Sequence, residues 1–129
     1  MSLFKKIFGE KKENESFNNS SFWKMINTEN DLKEAINQSE KTKIAIFKHS
    51  TRCFISKTVL KNFEKEVAQY PNTDTQFYIL DLIQYRELSN KIAEDFNVRH
   101  ESPQLIVFEN RKPINDASHQ NISISQVLK

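Results

Sequence analysis

The residue with the clearest chemical potential is Cys53, the only cysteine in the 129-residue chain. It follows a predicted buried strand at residues 44–47 after a short loop, and it opens a predicted helix at about residues 53–70. The unpaired N–H groups and the dipole of a helix N-terminus stabilise an anion. A thiolate is such an anion, and Arg52 beside it adds positive charge. The position therefore predicts a reactive thiol.

A buried structural cysteine is the alternative, since unreactive cysteines are often found in protein cores. The apolar stripe of the predicted helix argues against it, because Cys53 lies off that stripe. The stripe is predicted to consist of Ile55, Val59, Leu60, Phe63 and Val67. Lys48 and His49 are close in sequence and add to the cationic surroundings. A single cysteine also excludes an internal disulfide, so any disulfide must join this chain to another molecule.

Two more residues have spacings that suit thiol chemistry. Ser56 stands three residues after Cys53, where a dithiol redox site holds its second cysteine. Its hydroxyl cannot form a disulfide but can donate a hydrogen bond to a thiolate; alternatively it is an ordinary residue of the first helical turn. Pro103 precedes a predicted strand at residues 105–108 and is a candidate cis-proline. An ordinary trans proline at a strand end is the alternative.

The elements that must position these residues follow the order β-α-β-α-β-α-β-β-α. Strands are predicted at residues 22–26, 44–47, 77–82, 105–108 and 114–117. Helices are predicted after Thr28 as N-cap, at 53–70, around 88–96, and after a cap at Ser123 or Ser125. Strand–helix–strand units predict parallel pairing, and the final hairpin adds an antiparallel edge. The pattern predicts one α/β domain over residues 21–129, with a mixed central sheet and helices on both faces, after a flexible tail at residues 1–20.

Composition narrows the possible functions. The net charge of +2 and the lack of a basic cluster argue against a nucleic-acid partner. No segment reads as a membrane span or signal peptide, and a lone cysteine suits a reducing compartment, so we expect a cytoplasmic protein. The single glycine, Gly9, excludes glycine-rich phosphate loops. It also predicts that Asn72, Asn97 and Asn110 take over left-handed backbone positions.

Three segments together resemble the monothiol bacilliredoxin family, a branch of the thioredoxin superfamily. Residues 47–56 read Phe-Lys-His-Ser-Thr-Arg-Cys-Phe-Ile-Ser, residues 86–90 read Arg-Glu-Leu-Ser-Asn, and residues 100–104 read His-Glu-Ser-Pro-Gln. The resemblance extends from about Phe22 to Lys129. One departure is Phe54, where the family usually has proline; phenylalanine keeps its N–H and adds an apolar face beside the sulfur.

The resemblance implies a thioredoxin-like fold and a monothiol oxidoreductase that removes the small thiol bacillithiol, or a similar one, from protein mixed disulfides. In that activity Cys53 takes the small thiol onto itself, and a second small thiol or a reductase releases it. The implied catalytic residues are Cys53, Ser56 and Arg52, and the implied substrate-binding residues are Thr51, Phe54, Ser102, Pro103 and Arg86. Arg86, with Ser89, suits an acidic thiol, although a helix-start salt bridge and cap is the alternative.

Other functions remain open at this stage. The same fold without catalysis predicts a binding module that uses Phe54, and a Cys-x-x-Ser loop also occurs in iron–sulfur carriers of the monothiol glutaredoxin type. His49, His100 and Cys53 match no standard zinc spacing, so we expect no metal. We expect no bound cofactor, a small thiol as co-substrate, thiolated client proteins and a reductase as partners, and a monomeric state.

Overall fold

A computed structural model describes residues 22–129, which form a five-stranded mixed sheet. The strands are β1 (Trp23–Met25), β2 (Ile44–His49), β3 (Gln76–Asp81), β4 (Gln104–Glu109) and β5 (Lys112–Ser118). Their order across the sheet is β1-β3-β2-β4-β5. Strand β3 runs parallel to β1 and β2, whereas β4 runs antiparallel to both β2 and β5. The predicted tail at residues 1–20 lies outside the described residues.

Four helices pack on the sheet within residues 22–129. They are α1 (Glu29–Gln38), α2 (Phe54–Ala68), α3 (Arg86–Phe96) and α4 (Ser125–Leu128), with a short 3-10 helix at His119–Asn121. The predicted element order is confirmed, and the 3-10 helix is an addition to it. Thr28 caps α1 as predicted, because its hydroxyl accepts a hydrogen bond from the Asp31 amide while the Asp31 carboxylate accepts one from the Thr28 amide. None of these helices is long and apolar enough to cross a bilayer.

The direction of β4 differs from the parallel pairing expected of every strand–helix–strand unit. Helix α3 ends near the far edge of the sheet, where Phe96 stacks edge-on against Phe108 with ring centroids 4.9 Å apart. Asn97 then adopts a left-handed conformation with φ 55°. Residues 97–103 run back to the edge at which α3 began, so β4 starts beside the end of β2.

Two buried clusters hold the layers together. One joins α1 and α3 to the sheet and includes Ile44, Ile46 and Ile106; the other joins α2 and the C-terminal segment to the opposite face and includes Phe47 and Phe63. Every residue of β2 is buried. The apolar run at residues 44–47 was predicted to be buried on both faces, and the two clusters confirm it.

Several local expectations were wrong. Ile55 is 44% exposed and Ser56 is fully buried, so the buried stripe of α2 begins at Ser56 instead. The N-cap of α4 is Ile124, and Ser123 precedes it, with its hydroxyl accepting a hydrogen bond from the amide of Ser125 and its amide donating one to the side chain of Gln126. Among the asparagines expected to be left-handed, Asn97 and Asn110 are, but Asn72 is not. Arg111 and His119 adopt positive φ in addition.

Candidate active site

The candidate site lies at one edge of the sheet, where β2 ends and β4 begins. Lys48 of β2 pairs with Gln104 of β4, so the loop that leaves β2 lies beside the residues that enter β4. The first leads to Cys53, and the second contains Ser102 and Pro103. The Ser102–Pro103 peptide bond is cis, which is the form that the family resemblance implies and not the ordinary trans form expected from its place at a strand end alone. The fold thus brings to one edge two segments that are fifty residues apart in sequence.

Cys53 is the N-cap residue of α2, as predicted, and it is partly exposed. Its backbone is extended, its amide donates a 3.1 Å hydrogen bond to the carbonyl of Ser50, and its carbonyl accepts one from the amide of Lys57. The side chain forms no capping hydrogen bond, and the first turn contains no acidic residue. The sulfur is therefore next to the partial positive charge of the helix end, without a nearby first-turn carboxylate to oppose it.

Ser56 is fully buried directly behind this loop. Its hydroxyl oxygen accepts a 3.0 Å hydrogen bond from the amide of Ser50 and lies 2.8 Å from Nδ1 of His49. In the part of the chain that the structure describes, no hydrogen bond joins this hydroxyl to the sulfur of Cys53. Ser56 therefore ties the loop before Cys53 to β2, and a direct role of Ser56 toward a thiolate stays a prediction.

His49 is a buried histidine, although it lies beyond the end of the apolar run that predicts burial. Desolvation lowers its pKa from 6.5 to about 4, with Asp81 opposing the shift and Lys57 adding to it. The imidazole is therefore neutral at physiological pH. The signal that sequence reasoning missed is that a strand predicted to end at residue 47 extends to His49.

The buried His49 predicts that acid destabilises the protein. Its pKa is depressed in the folded state, so the unfolded chain binds more protons between pH 4 and 6.5, and stability rises with pH across that window. The contribution is about 3 kcal/mol, lost as the pH falls from 6.5 to 4. Urea unfolding at several pH values checks this, with His49→Asn as the reference that lacks the titrating group. Parallel pH profiles for the two proteins would contradict it.

A second polar cluster lies on the other face of β2, at the same end of the strand. The ammonium of Lys48 donates a 3.0 Å hydrogen bond to the carbonyl of Ser89 in α3 and lies 3.4 Å from Nδ1 of His100. The hydroxyl of Ser89 is also 3.4 Å from that nitrogen. The sequence indicates Lys48 only as a nearby cation, and Ser89 only as a contact for an acidic thiol or part of a helix-start cap, yet both residues are fully buried.

The remaining predicted site residues surround this edge. Phe54 is 80% exposed and, with Ile55, borders a groove of about 370 Å³ that reaches Ile122. Thr51 is half-buried and Arg52 is exposed on the loop before Cys53. Arg86 is the exposed first residue of α3, and Ser102 is half-buried. Among the described residues, no group of three histidine, cysteine, aspartate or glutamate side chains is placed to hold a metal ion.

The mixed sheet, a cysteine at the N-cap of α2 and a cis-proline at the start of β4 define a protein with a thioredoxin fold. Solved structures agree. One solved structure, described as having a thioredoxin fold, is 28% identical to this chain with a TM-score of 0.73, and the match covers 84% of this chain and 92% of the other. Mitochondrial thioredoxin 3 from Saccharomyces cerevisiae is 20% identical with a TM-score of 0.61, and the match covers 82% of this chain and 89% of the other. Thioredoxin from Schistosoma mansoni is 19% identical with a TM-score of 0.63, and the match covers 84% of this chain and 93% of the other.

Within that class, residues 24–127 match the family described as monothiol bacilliredoxin BrxC. The match covers most of the chain, and the chain belongs to this family. Family and fold together support a thiol oxidoreductase. The resemblance noted in the sequence is thereby confirmed at the level of family and fold.

Proposed function

We propose that this chain is a monothiol thiol–disulfide oxidoreductase that removes bacillithiol, or a similar small thiol, from protein mixed disulfides through Cys53. The observation that carries the proposal is a partly exposed cysteine at the N-cap of α2, in a chain with no other cysteine. Membership of the bacilliredoxin family supports the same chemistry. We place the activity in the cytoplasm, where small thiols keep such sites reduced.

The reaction is two successive thiol–disulfide exchanges. The thiolate of Cys53 attacks the small-thiol sulfur of the client's mixed disulfide, so that a new disulfide joins Cys53 to the small thiol. The client's sulfur leaves as a thiolate and takes a proton from water. The thiolate of a second small-thiol molecule then attacks the small-thiol sulfur of the disulfide on Cys53. The small-molecule disulfide departs and the thiolate of Cys53 is restored. No bound cofactor is needed, since the small thiol is a co-substrate.

The segment beside the sulfur offers a place for the client's backbone. Within residues 22–129, neither the amide nor the carbonyl of Ser102 has a hydrogen-bond partner, whereas the Pro103 carbonyl accepts a 3.0 Å bond from the amide of His119. Ser102 is therefore available to pair with an extended chain, as peptides do when they add to a sheet edge. On this proposal Thr51 and Phe54 contact the client from the loop side, while Arg52 and Arg86 supply positive charge.

The experiment follows the small thiol by mass. A client protein carrying one bacillithiol mixed disulfide is mixed with the reduced chain, and both are measured by intact mass spectrometry. We expect the client to lose the mass of the small thiol while this chain gains it, with the adduct on Cys53. Free bacillithiol then removes the adduct. A client that keeps its thiol while the chain stays unmodified would contradict the proposal.

The exposure of Phe54 favours a second candidate, a binding module without catalysis. Phe54 is 80% exposed beside a groove lined by both apolar and polar side chains, so its ring offers a contact surface to a partner protein. This candidate predicts that client proteins remain associated after Cys53→Ser, whereas the oxidoreductase holds clients chiefly through exchange at the sulfur. Pull-down of a purified thiolated client with the serine variant distinguishes the two.

A further inference from the structure

Lys48 is a fully buried lysine, and the mechanism above does not use it. Its ammonium donates to the Ser89 carbonyl at 3.0 Å and lies 3.4 Å from Nδ1 of His100. No salt bridge joins it to a carboxylate in residues 22–129. Burial lowers the pKa of Lys48 from 10.5 to about 8, so the amine is still mostly protonated at neutral pH. A buried cation next to a histidine constrains where that histidine carries its proton.

The constraint follows from what each group can donate and accept. An ammonium group has three donors and no acceptor, so the contact with Lys48 requires Nδ1 of His100 to be the acceptor. The hydroxyl of Ser89, at 3.4 Å, can donate to the same nitrogen. A neutral imidazole carries one proton, and Nδ1 cannot hold it here. These contacts favour the neutral form of His100 that carries its proton on Nε2.

The ring points its other nitrogen away from the buried cluster. Nδ1 faces Lys48 and Ser89, so Nε2 lies on the opposite edge of a ring that is partly exposed. No hydrogen bond within the described residues engages Nε2. His100 lies three residues before Pro103, on a segment held by the side chain of Gln104. The side-chain nitrogen of Gln104 donates a 2.8 Å hydrogen bond to the carbonyl of Arg99. Its side-chain oxygen accepts a 3.4 Å hydrogen bond from the amide of Glu101.

The charges around His100 indicate what such a donor would bind. Desolvation lowers its pKa most, then the charges of Lys48 and Arg86, while Glu101 raises it. The ring is therefore neutral at neutral pH and acts only as a donor through Nε2. The positive charges of Lys48 and Arg86 outnumber the single negative charge of Glu101 around His100, and this excess of positive charge favours binding of an anionic acceptor. A carboxylate oxygen is the acceptor that suits an N–H donor next to a guanidinium.

We propose that Lys48 is a positioning residue that holds His100 as its Nε2–H tautomer, and that this N–H binds a carboxylate of the small thiol beside Ser102 and Pro103. Arg86, across the same edge, contributes charge to the carboxylate. The proposal rests on the proposed oxidoreductase function and adds two residues to it: Lys48, which positions His100, and His100, which contacts a carboxylate of the small thiol. Its two parts, the tautomer and the carboxylate contact, are tested separately.

The tautomer is measured by two-bond ¹H–¹⁵N correlation spectra of the labelled full chain, with His100→Gln used to assign the signals among the three histidines. Wild type is expected to show the Nε2–H form. Lys48→Met removes the donor to Nδ1, so a mixture of tautomers and a raised His100 pKa are expected. Lys43→Met is the matched control, because Lys43 lies just before β2 and its ammonium binds the carbonyls of Val127 and Lys129 instead. A wild-type Nδ1–H form, or the same tautomer in wild type and Lys48→Met, would overturn the positioning role.

The carboxylate contact is tested with two adducts of one client protein. One adduct is N-acetylcysteine, which carries a carboxylate, and the other is N-acetylcysteamine, which does not. His100→Leu is expected to raise KM for the first about tenfold, as for loss of a hydrogen bond to a charged group, and to leave KM for the second unchanged. His100→Gln, which keeps an N–H donor, is expected to recover part of the loss. Equal effects on both adducts would overturn the contact.

Failure of the proposed function is recognisable separately. A wild-type chain that releases neither adduct would contradict the oxidoreductase and the carboxylate contact that depends on it. The tautomer spectra need no turnover, and they would still decide the role of Lys48.

Discussion

Cys53→Ser is expected to reduce the removal of bacillithiol from a client protein to the rate of the uncatalysed exchange. A serine hydroxyl is almost fully protonated at neutral pH and cannot form a disulfide, so neither exchange step can begin. No other cysteine in the chain can take over. The measurement is the rate of client release with free bacillithiol in excess, for wild type and the variant at equal concentration.

The loss of exchange activity in Cys53→Ser must come from the missing sulfur and not from misfolding of the variant. Cys53 is partly exposed and its side chain makes no capping bond, so the serine variant is expected to unfold at nearly the same temperature as wild type. Asn72→Ser provides a surface control, since Asn72 is exposed in the turn beyond the far end of α2. Residual catalysis by Cys53→Ser above the uncatalysed rate would show that the chemistry lies elsewhere.

Much of the fold could be predicted because its signals are local. The apolar run at residues 44–47, the cap at Thr28 and the left-handed Asn97 and Asn110 each report on their own neighbourhood. The helix start at Cys53 is of the same kind, since a loop after a buried strand marks it. The strand order and the antiparallel β4 are not local, because they depend on where the chain returns after α3.

The polar part of the site could not be predicted for the same reason. Nothing near Lys48 in sequence indicates that Ser89 and His100, more than forty residues away, satisfy its ammonium. Likewise, a period of 3.6 residues places both Ile55 and Ser56 near the edge of the apolar stripe. Only the buried partners of the Ser56 hydroxyl decide that serine turns inward and isoleucine outward.

Phe63→Ala is expected to lower the free energy of unfolding by about 3–5 kcal/mol, because it removes a large ring from a closed core. Phe63 is almost fully buried and packs against three other aromatic rings. Its ring centroid lies 5.9 Å from that of Phe47, 6.0 Å from Phe77 and 6.2 Å from Trp23. Chemical denaturation measures the change, and the melting temperature should fall by roughly 10 °C or more.

Phe63→Leu is the matched variant, since leucine fills most of the space and is expected to cost about 1.5 kcal/mol or less. Equal destabilisation by both substitutions would contradict the filling of core volume as the source of the stability. The pair also tests how the site is supported, because Phe63 lies on α2, the helix that begins at Cys53 and holds Ser56 against His49. If the aromatic rings packed around Phe63 fix α2 on the sheet, Phe63→Ala should lose exchange activity at temperatures where most of the protein is still folded, and Phe63→Leu should not. The position of the reactive sulfur would then depend on the packing of a ring ten residues further along the same helix.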